Sequence, residues 1–186
     1  MIDRGLGLDE GIVALSPYNR AWIEAFDDEA TALKTLLRAR AIRIEHVGST
    51  AIPSIRAKPI LDLLLGLGEL GDGHNLAVEL ASLGYAFRPH AGVPEEHVFV
   101  KGTPRTHILH VVEHGGGAWR QKLAFRDALR QQPELAREYN KLKTMLAARY
   151  PDNRPAYTAG KTEFVRKVVE ACIPDLSLRS RDTPTF

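Results

Sequence analysis

Cysteine is nearly absent from this chain of 186 residues, in which Cys172 stands alone. A single cysteine excludes an internal disulfide bond and a zinc site built from several cysteines. Because Cys172 lies between Ala171 and Ile173 in a helical pattern, we expect a buried or half-buried thiol with no chemical role.

Long hydrophobic runs are also missing. No stretch approaches the roughly 20 apolar residues that a membrane-spanning helix needs. Near the N-terminus, Asp3, Arg4, Asp9 and Glu10 interrupt any signal-peptide pattern. We therefore expect a cytoplasmic protein that makes no membrane contact.

The chain also lacks a large excess of positive or negative charge. The chain has 25 basic and 23 acidic residues, for a formal net charge of +2. A balance so close to neutral gives no support for general nucleic-acid binding, although it is compatible with a local basic patch. The hydrophobic content of 44% and the charged content of 26% are those of a globular domain with a substantial core.

The order of predicted elements favours one α+β domain over residues 1–173. Hydrophobic periodicity predicts a helix, two strands, a helix, three strands and three helices, the last helix covering about 154–171. We therefore expect a mixed α/β arrangement with one central mixed sheet flanked by helices, and a helical C-terminal third. Residues 174–186 contain two prolines and many polar residues, which predict a weakly ordered tail.

The residues most suggestive of chemistry lie in IEHVGSTAIPSIRAKPILDLLL, residues 44–65. One predicted strand, 42–47, leads into Gly48 and Ser49, and the next, 59–65, carries Asp62 among apolar residues. Glycine lets a backbone approach a triphosphate closely. A carboxylate beside it could hold the Mg²⁺ that accompanies the phosphates. We predict that the two strands are neighbours and reach a common ligand.

Each of these residues also has a purely structural interpretation. A Gly-Ser pair after a strand is most often an ordinary turn. Asp62 could belong to a structural ion pair, because an isolated buried carboxylate is costly. Lys58 is either a solvated charge or a ligand contact at the mouth of the turn, and His46, on an apolar strand face, is either a core residue or a site residue.

Alternation along RTHILHVVE, residues 105–113, separates two histidines. His107 and Glu113 share one face of the predicted strand, and His110 lies on the other. The histidines therefore do not form a two-histidine metal clamp unless a bulge intervenes.

Two cations face inward in the predicted C-terminal helices. Arg126 lies on the apolar stripe of one helix, and Lys161 shares the stripe of the last helix with Tyr157. An inward cation needs an anionic partner or a route to water. We predict that a phosphate-bearing ligand satisfies both, the alternative being local carboxylates such as Asp127 or Glu163.

Two resemblances sharpen this picture. An apolar residue followed by Gly-Ser, with an aspartate on a strand about a dozen residues later, resembles the nucleotidyltransferase superfamily. That superfamily usually has a second acid two residues after the first, where this chain has Leu64. Residues 12–171 resemble the GrpB family through SPYNRAW, IEHVGSTAIPSIRAKPILDLLL, THILHVVEHGGGAW and FRDALRQQPELAREYNKLKTMLAARYPDNRPAYTAGKTEFV. That family is similar in fold to nucleotidyltransferases, and related domains occur fused to dephospho-CoA kinases.

The GrpB resemblance implies a nucleotidyltransferase-like fold and a set of motif residues. They are His46, Gly48, Ser49, Thr50, Lys58, Asp62, His107, His110, Arg126, Asp127, Tyr157 and Lys161. The resemblance leaves the activity open.

Our first hypothesis is a Mg²⁺-dependent nucleotidyltransferase-like protein that acts on or binds a nucleoside triphosphate. Asp62 and His110 would be the catalytic residues, and Asp62 would hold the metal with His110 or Glu113 completing its shell. The phosphates would be bound by Gly48, Ser49, Thr50, Lys58, Arg126, Tyr157 and Lys161.

The alternative is a non-catalytic module that binds a nucleotide or another phosphorylated small molecule through a degenerate metal site. Nucleic acid is disfavoured as a partner because the chain shows no aromatic platform for single strands. The acceptor substrate and the oligomeric state are left open by these patterns.

Overall fold

The computed structural model describes residues 4–71 and 73–174. Six helices and five strands lie in this part of the chain: α1 Ala21–Leu37, β1 Arg43–Val47, β2 Leu61–Leu67, α2 Gly73–Leu80, β3 Tyr85–Phe87, β4 Glu96–Lys101, β5 His107–Glu113, α3 Gly117–Gln131, α4 Pro133–Arg149, α5 Arg154–Ala159 and α6 Thr162–Cys172. Apart from Pro174, the predicted weakly ordered tail lies outside the described residues.

The strands form one mixed sheet in the order β1-β2-β5-β4-β3. β2 and β5 pair in parallel, and the other neighbours are antiparallel. The predicted α+β class with one central mixed sheet is confirmed. The two strands that flank the Gly48–Ser49 turn are neighbours, as predicted.

One face of the sheet packs against α1 and α2. The alternation of β2 turns Leu61, Leu63 and Leu65 to this side, where all three are fully buried. Trp22 and Leu33 of α1 pack on the same cluster. This is the larger core of the domain, and burial of its apolar surface provides most of the stability of the sheet.

The opposite face is covered only in part. At one end, Leu64 of β2 packs with Val112 of β5 under Trp119 of α3. At the other end, Val47, Asp62 and Ile108 lie side by side on β1, β2 and β5 and line a cavity. The same strand face therefore provides both a small core and the floor of a cavity.

The helical C-terminal third closes this cavity. Leu129 of α3, Tyr139 of α4 and Val165 of α6 meet in a core of their own, together with Ile52 and Ile55 from the loop after β1. The side chain of Asn153 accepts the N–H of Ala156 at 3.0 Å and caps α5.

Two expectations about the C-terminus are wrong. The last helix is not continuous over 154–171 but breaks between α5 and α6, where the N–H of Lys161 donates to Thr158 O, only three residues back. Gly160, a poor helix former, stands at this break. Cys172 is exposed rather than buried, because it ends α6 at the surface. No helix in the described part of the chain is long and apolar enough to cross a membrane.

Candidate functional site

A cavity of about 700 Å³ opens over the Asp62 end of the second sheet face. Apolar side chains of the sheet and of Ile60, just before β2, form much of its floor: the sheet residues are Val47, Val98, Val100 and Ile108. Its walls come from the loop that follows β1, from residues 87–92, and from the four C-terminal helices. This volume is typical of a pocket for a small-molecule ligand.

The Gly48 turn touches Asp62 at the floor of the cavity. Val47 and Asp62 are direct partners in the β1–β2 ladder, so the turn begins beside the carboxylate. Gly48 has φ of +66°, and a Cβ at this position would collide with the Asp62 side chain. Glycine is thus required both for the backbone conformation and for the close approach. Ser49 and Thr50 follow as a short 3₁₀ turn and also line the cavity.

A carboxylate–imidazole–carboxylate chain crosses the floor diagonally. His110 Nε2 lies 3.5 Å from Asp62 Oδ1, and His110 Nδ1 contacts Glu96 Oε1 on β4. Lys122 of α3 lies 3.3 Å from the same Glu96 oxygen. The chain ties β2, β5, β4 and α3 together, and it engages both ring nitrogens of His110.

This arrangement favours the ionised form of each member. Burial and Lys122 lower the pKa of His110, but the two carboxylates raise it more, so the net shift is upward. Burial raises the pKa of Asp62, yet the hydrogen bond from His110 and the charges of His110, Lys58 and Arg154 hold this pKa below its usual value. Burial also opposes ionisation of Glu96, but His110 and Lys122 lower its pKa to about 2.

A cationic group occupies another part of the wall. The Lys58 and Lys161 amines lie 5.3 and 4.6 Å from the centre of the Tyr157 ring. Arg154, at the start of α5, lines the same cavity. Among the described residues, no carboxylate lies within ion-pair distance of Lys58, Arg154 or Lys161. We call these three the cationic cluster.

The environment of the cationic cluster disfavours its positive charge. Burial, followed by the charges of Arg154 and Lys161, lowers the pKa of Lys58 to about 7. Burial lowers the pKa of Lys161 to about 8, although Asp62 partly opposes this shift. Burial and Arg105 lower the pKa of Arg154. An anion entering the cavity would relieve this unfavourable charge.

The acidic groups of the cavity suit a protein-held metal ion poorly. Mg²⁺ takes oxygen ligands in octahedral geometry. Asp62 faces His110, and Glu96 is bound by His110 and Lys122. Leu64, where a second acid was expected by resemblance, is fully buried. No cluster of three or more metal-ligating side chains occurs within residues 4–71 and 73–174.

Arg126 does not reach the cavity, and the expectation that it contacts a ligand phosphate is wrong. Its guanidinium binds Asp127 at 2.7 Å and Glu45 at 2.8 Å, and it also donates to His46 O at 3.1 Å. These partners sit on α3 and β1, so Arg126 fastens the helix to the edge strand. The alternative partner Asp127 is therefore the correct one for this residue.

The structure also places three further candidates away from the cavity. Glu113 is exposed at the end of β5, on the face opposite His110. His107 lies on that opposite face, 3.9 Å from Glu29, which confirms that the two histidines are separated. His46 is buried, stacks on Phe26 and contacts Thr50 Oγ1 at 2.9 Å. Burial lowers the pKa of both His46 and His107 to about 4.

Several cavity residues were missed by the sequence patterns. Glu96, the first residue of β4, carries no motif or spacing in the sequence that marks it as a site residue. Glu10 lies in a segment that composition marks as a loose lead-in, yet it binds Arg105 at 2.9 Å beside the cavity. Arg154 looked like an ordinary helix-start residue. The one available signal was Asn153 with Pro155 two residues later, a pattern typical of a helix start at Arg154.

Comparison with known proteins identifies the family. The sequence profile of the GrpB protein family matches residues 12–171. Glutamate-rich protein GrpB of Alkalihalophilus pseudofirmus is 37% identical over 170 residues, which cover 88% of this chain and 98% of that protein.

Solved structures agree with this assignment. The crystal structure of conserved protein GrpB from Enterococcus faecalis has a TM-score of 0.80 at 32% identity, and the match covers 88% of this chain and 99% of that one. A more distant neighbour is the Cid1 poly(U) polymerase in its MgGTP-bound structure, with a TM-score of 0.45 at 13% identity over 76% of this chain and 47% of that one. A likeness at this level carries no inference about this chain. Because the family profile and the nearer relatives match most of the chain, this protein belongs to the GrpB family.

Proposed function

We propose that this protein binds a phosphorylated small molecule of the nucleotide class in the cavity. The observation that carries the proposal is the cationic cluster. Lys58, Arg154 and Lys161 meet in one cavity with no carboxylate in ion-pair distance in the described part of the chain. Cations held in this way are costly unless an anion joins them.

Phosphate is the anion that this set of donors suits best. Two amines provide several N–H donors from rotatable groups, and a guanidinium binds phosphate oxygens in a fork. Gly48 lines the same cavity, and because it has no Cβ its backbone can come close to a ligand there. A carboxylate ligand would use fewer of these donors than a phosphate chain.

The remainder of the cavity suits the body of such a ligand. Val98, Val100 and Ile108 make the floor apolar beside the charged chain of Asp62, His110 and Glu96. An aromatic base or another planar group would bury its surface there, with polar contacts confined to the edges.

A Mg²⁺-dependent nucleotidyltransferase-like activity is the second candidate. It is favoured by the contact between Gly48 and Asp62, which would place ligand phosphates beside a carboxylate. Because Asp62 has few acidic neighbours free to help, Mg²⁺ would enter as a complex with the ligand phosphates rather than into a preformed protein site. Asp62 would then supply one oxygen to that complex.

Thermal unfolding with a ligand panel tests both candidates. The panel contains the four ribonucleoside triphosphates, their monophosphates and inorganic tripolyphosphate, each with EDTA and with Mg²⁺. A ligand at one hundred times its Kd should stabilise the native protein by about 2.7 kcal/mol. Stabilisation in EDTA supports the metal-free binding module, and stabilisation only with Mg²⁺ supports the second candidate.

A matched pair of variants assigns the effect to the cavity. Lys161→Met should remove most of the stabilisation, whereas Lys34→Met, at an exposed position of α1, should retain it. If no member of the panel stabilises the wild-type protein under either condition, both candidates are wrong.

A further inference from the structure

A third lysine lies behind the cavity wall and takes no part in lining it. Lys143 of α4 is only 1% exposed. Its amine donates to the backbone oxygen of Arg56 and lies 5.0 Å from the centre of the Tyr139 ring. Within the described residues, no carboxylate is in ion-pair distance of Lys143. A buried cation with only a carbonyl and a ring as partners is poorly compensated.

Lys143 belongs electrostatically to the cavity. Burial, and then the charges of Lys161 and Lys58, lower the pKa of Lys143 to about 7. Asp62 is the acid that partly opposes this shift. Three lysines therefore share one acid of the cavity floor, and their positive charges repel one another when the cavity holds no anion.

Lys143 also anchors the loop that carries Lys58. The N–H of Arg56 donates to Asn140 Oδ1 at 2.8 Å, and the oxygen of the same residue accepts from Lys143. Both backbone groups of Arg56 are thus held by neighbouring turns of α4, two residues before Lys58. Tyr139, on the same helix, interacts with Ser49 at the other end of this loop.

We propose that Lys143 is a positioning and specificity-determining residue of the anion site, which holds the Lys58 loop in place and makes the cavity select a polyphosphate chain over a single phosphate. This inference rests on the proposed function. The positioning role follows from the contact with Arg56, and the selectivity follows from the uncompensated charge.

The selectivity has a simple physical origin. A single phosphate brings about two negative charges at neutral pH. The cavity has four cations to compensate, Lys58, Lys143, Arg154 and Lys161, and they are opposed by the carboxylate of Asp62 and, at Arg154, also by that of Glu10. A longer phosphate chain brings more negative charge and more acceptor oxygens to the same wall. Removing the Lys143 charge should therefore weaken the binding of a polyphosphate chain more than the binding of a single phosphate.

Isothermal titration calorimetry with three inorganic anions tests the proposal. Inorganic phosphate, pyrophosphate and tripolyphosphate are titrated into the full chain, and the ratio of the tripolyphosphate affinity to the phosphate affinity is the main readout. For the wild-type protein we expect a ratio well above one. Lys143→Met should lower tripolyphosphate affinity by roughly tenfold and reduce the ratio. Lys141→Met, at an exposed position of the same helix, should change neither.

Two further variants separate the two roles. Lys143→Gln keeps a donor for Arg56 O without the charge, so it should reduce the ratio while phosphate affinity is largely kept. Asn140→Ala removes the neighbouring loop anchor without changing the charge. It should therefore lower the affinity for all three anions to a similar extent and keep the affinity ratio. Lys143→Gln also replaces Lys143→Met as the decisive variant if the methionine protein fails to fold.

The outcomes distinguish this inference from the function on which it rests. If the wild-type protein binds none of the three anions, the inference is overturned, and the nucleotide panel decides separately whether the proposed function also fails. If the wild-type protein prefers tripolyphosphate and Lys143→Gln retains the wild-type ratio, the inference alone is overturned.

Discussion

Two polar clusters lie on opposite faces of the same sheet, and they differ in how their charges are compensated. Under α1, Glu29 accepts two hydrogen bonds of 2.8 Å from Lys101, with His107 at 3.9 Å. In the cavity, Lys58 and Lys161 have aromatic and cationic neighbours but no carboxylate in ion-pair distance among the described residues.

The difference separates scaffold from site. A cation that has a carboxylate partner gains less from an anionic ligand, and removing its partner leaves an uncompensated charge in an apolar environment. A cation without such a partner gains from any anion that enters. Arg126 belongs to the first kind because Glu45 and Asp127 bind it, and Lys161 belongs to the second. In this fold, scaffold cations are therefore distinguished from ligand-binding cations by whether they have a carboxylate partner, and burial alone does not distinguish them.

The largest expected effect is on stability. Lys101→Met should lower the free energy of unfolding by about 2–3 kcal/mol, because it removes the lysine partner of Glu29, whose carboxylate is mostly buried. This lies below the cost of breaking a fully buried pair, since Lys101 is partly exposed. Lys161→Met should leave stability unchanged or raise it. Urea denaturation of both variants measures the difference.

A double-mutant cycle checks the origin of that loss. Glu29→Met alone should destabilise to a similar extent, and the double variant Glu29→Met with Lys101→Met should recover most of the loss, because two apolar side chains can replace a buried ion pair. Additive losses would show that the two residues are not coupled, and the scaffold interpretation of this pair would fail.

The next effect concerns ligand affinity, and here the cavity variant is affected while the variant under α1 is not. Lys161→Met should weaken binding of ATP by roughly 30-fold, because a hydrogen bond to a charged group contributes about 1.5–3 kcal/mol. Lys101→Met should bind ATP as the wild-type protein does. Calorimetric titration at a temperature where both variants are folded gives the comparison, and equal affinities for both variants would remove the distinction between the clusters.

A smaller effect is expected at the acid of the cavity floor. In EDTA, Asp62→Asn should strengthen ATP binding by about tenfold, because it removes a negative charge next to the phosphates. If Asp62 instead supplies an oxygen to a Mg²⁺ complex, the variant should lose any Mg²⁺-dependent part of the affinity. Titrations with and without Mg²⁺ on the one variant distinguish the two roles, and weaker binding in EDTA would contradict the anion-site proposal.

An effect of similar size is a pH dependence with opposite signs for binding and for stability. The pKa values of Lys58 and Lys161 are lowered to about 7 and about 8, so both amines lose protons as the pH rises through this window. Anion affinity should therefore fall by about tenfold between roughly pH 6.5 and 9.

Stability of the ligand-free protein should change in the other direction. Lysines in the unfolded chain keep their protons to a pKa of about 10.4. Between roughly pH 7 and 10 the unfolded state therefore binds more protons, and the free energy of unfolding contributed by these lysines rises with pH. The double variant Lys58→Met with Lys161→Met should reduce both slopes, and Lys143, whose pKa is also lowered to about 7, should account for the remainder. Slopes equal to those of the wild-type protein would show that other groups produce them.

Much of the fold followed from local patterns. Alternation placed His107 and His110 on opposite faces of one strand, and apolar runs on both sides of a Gly-Ser turn made two strands neighbours. These features depend on backbone geometry with a fixed period, so a single sequence carries them. The break before Lys161 did not follow, because Tyr157 and Lys161 fit one helical stripe equally well with or without it.

Of the candidate site, the sequence predicted the Gly48 turn and Asp62, but it did not predict which other charged groups surround them. Gly48 and Asp62 were recognisable because a short loop fixes their separation, and both lie on the cavity floor. Arg126 was assigned wrongly because its stripe indicates an inward direction but not the identity of the partner it meets. Glu45, which it binds, is 81 residues away along the chain.

The sequence by itself determined the α+β architecture, the neighbouring strands around the Gly48 turn and the presence of inward cations, since these follow from periodicity and residue type. Tertiary structure alone decided which charges are compensated. Glu96 of β4 contacts His110 of the neighbouring strand β5, and Lys101 of the sheet binds Glu29 of α1. Lys143 of α4 donates to the backbone oxygen of Arg56, in the loop before β2. Such pairings depend on distances of a few ångströms between side chains far apart in the chain, and electrostatic energy changes steeply over those distances.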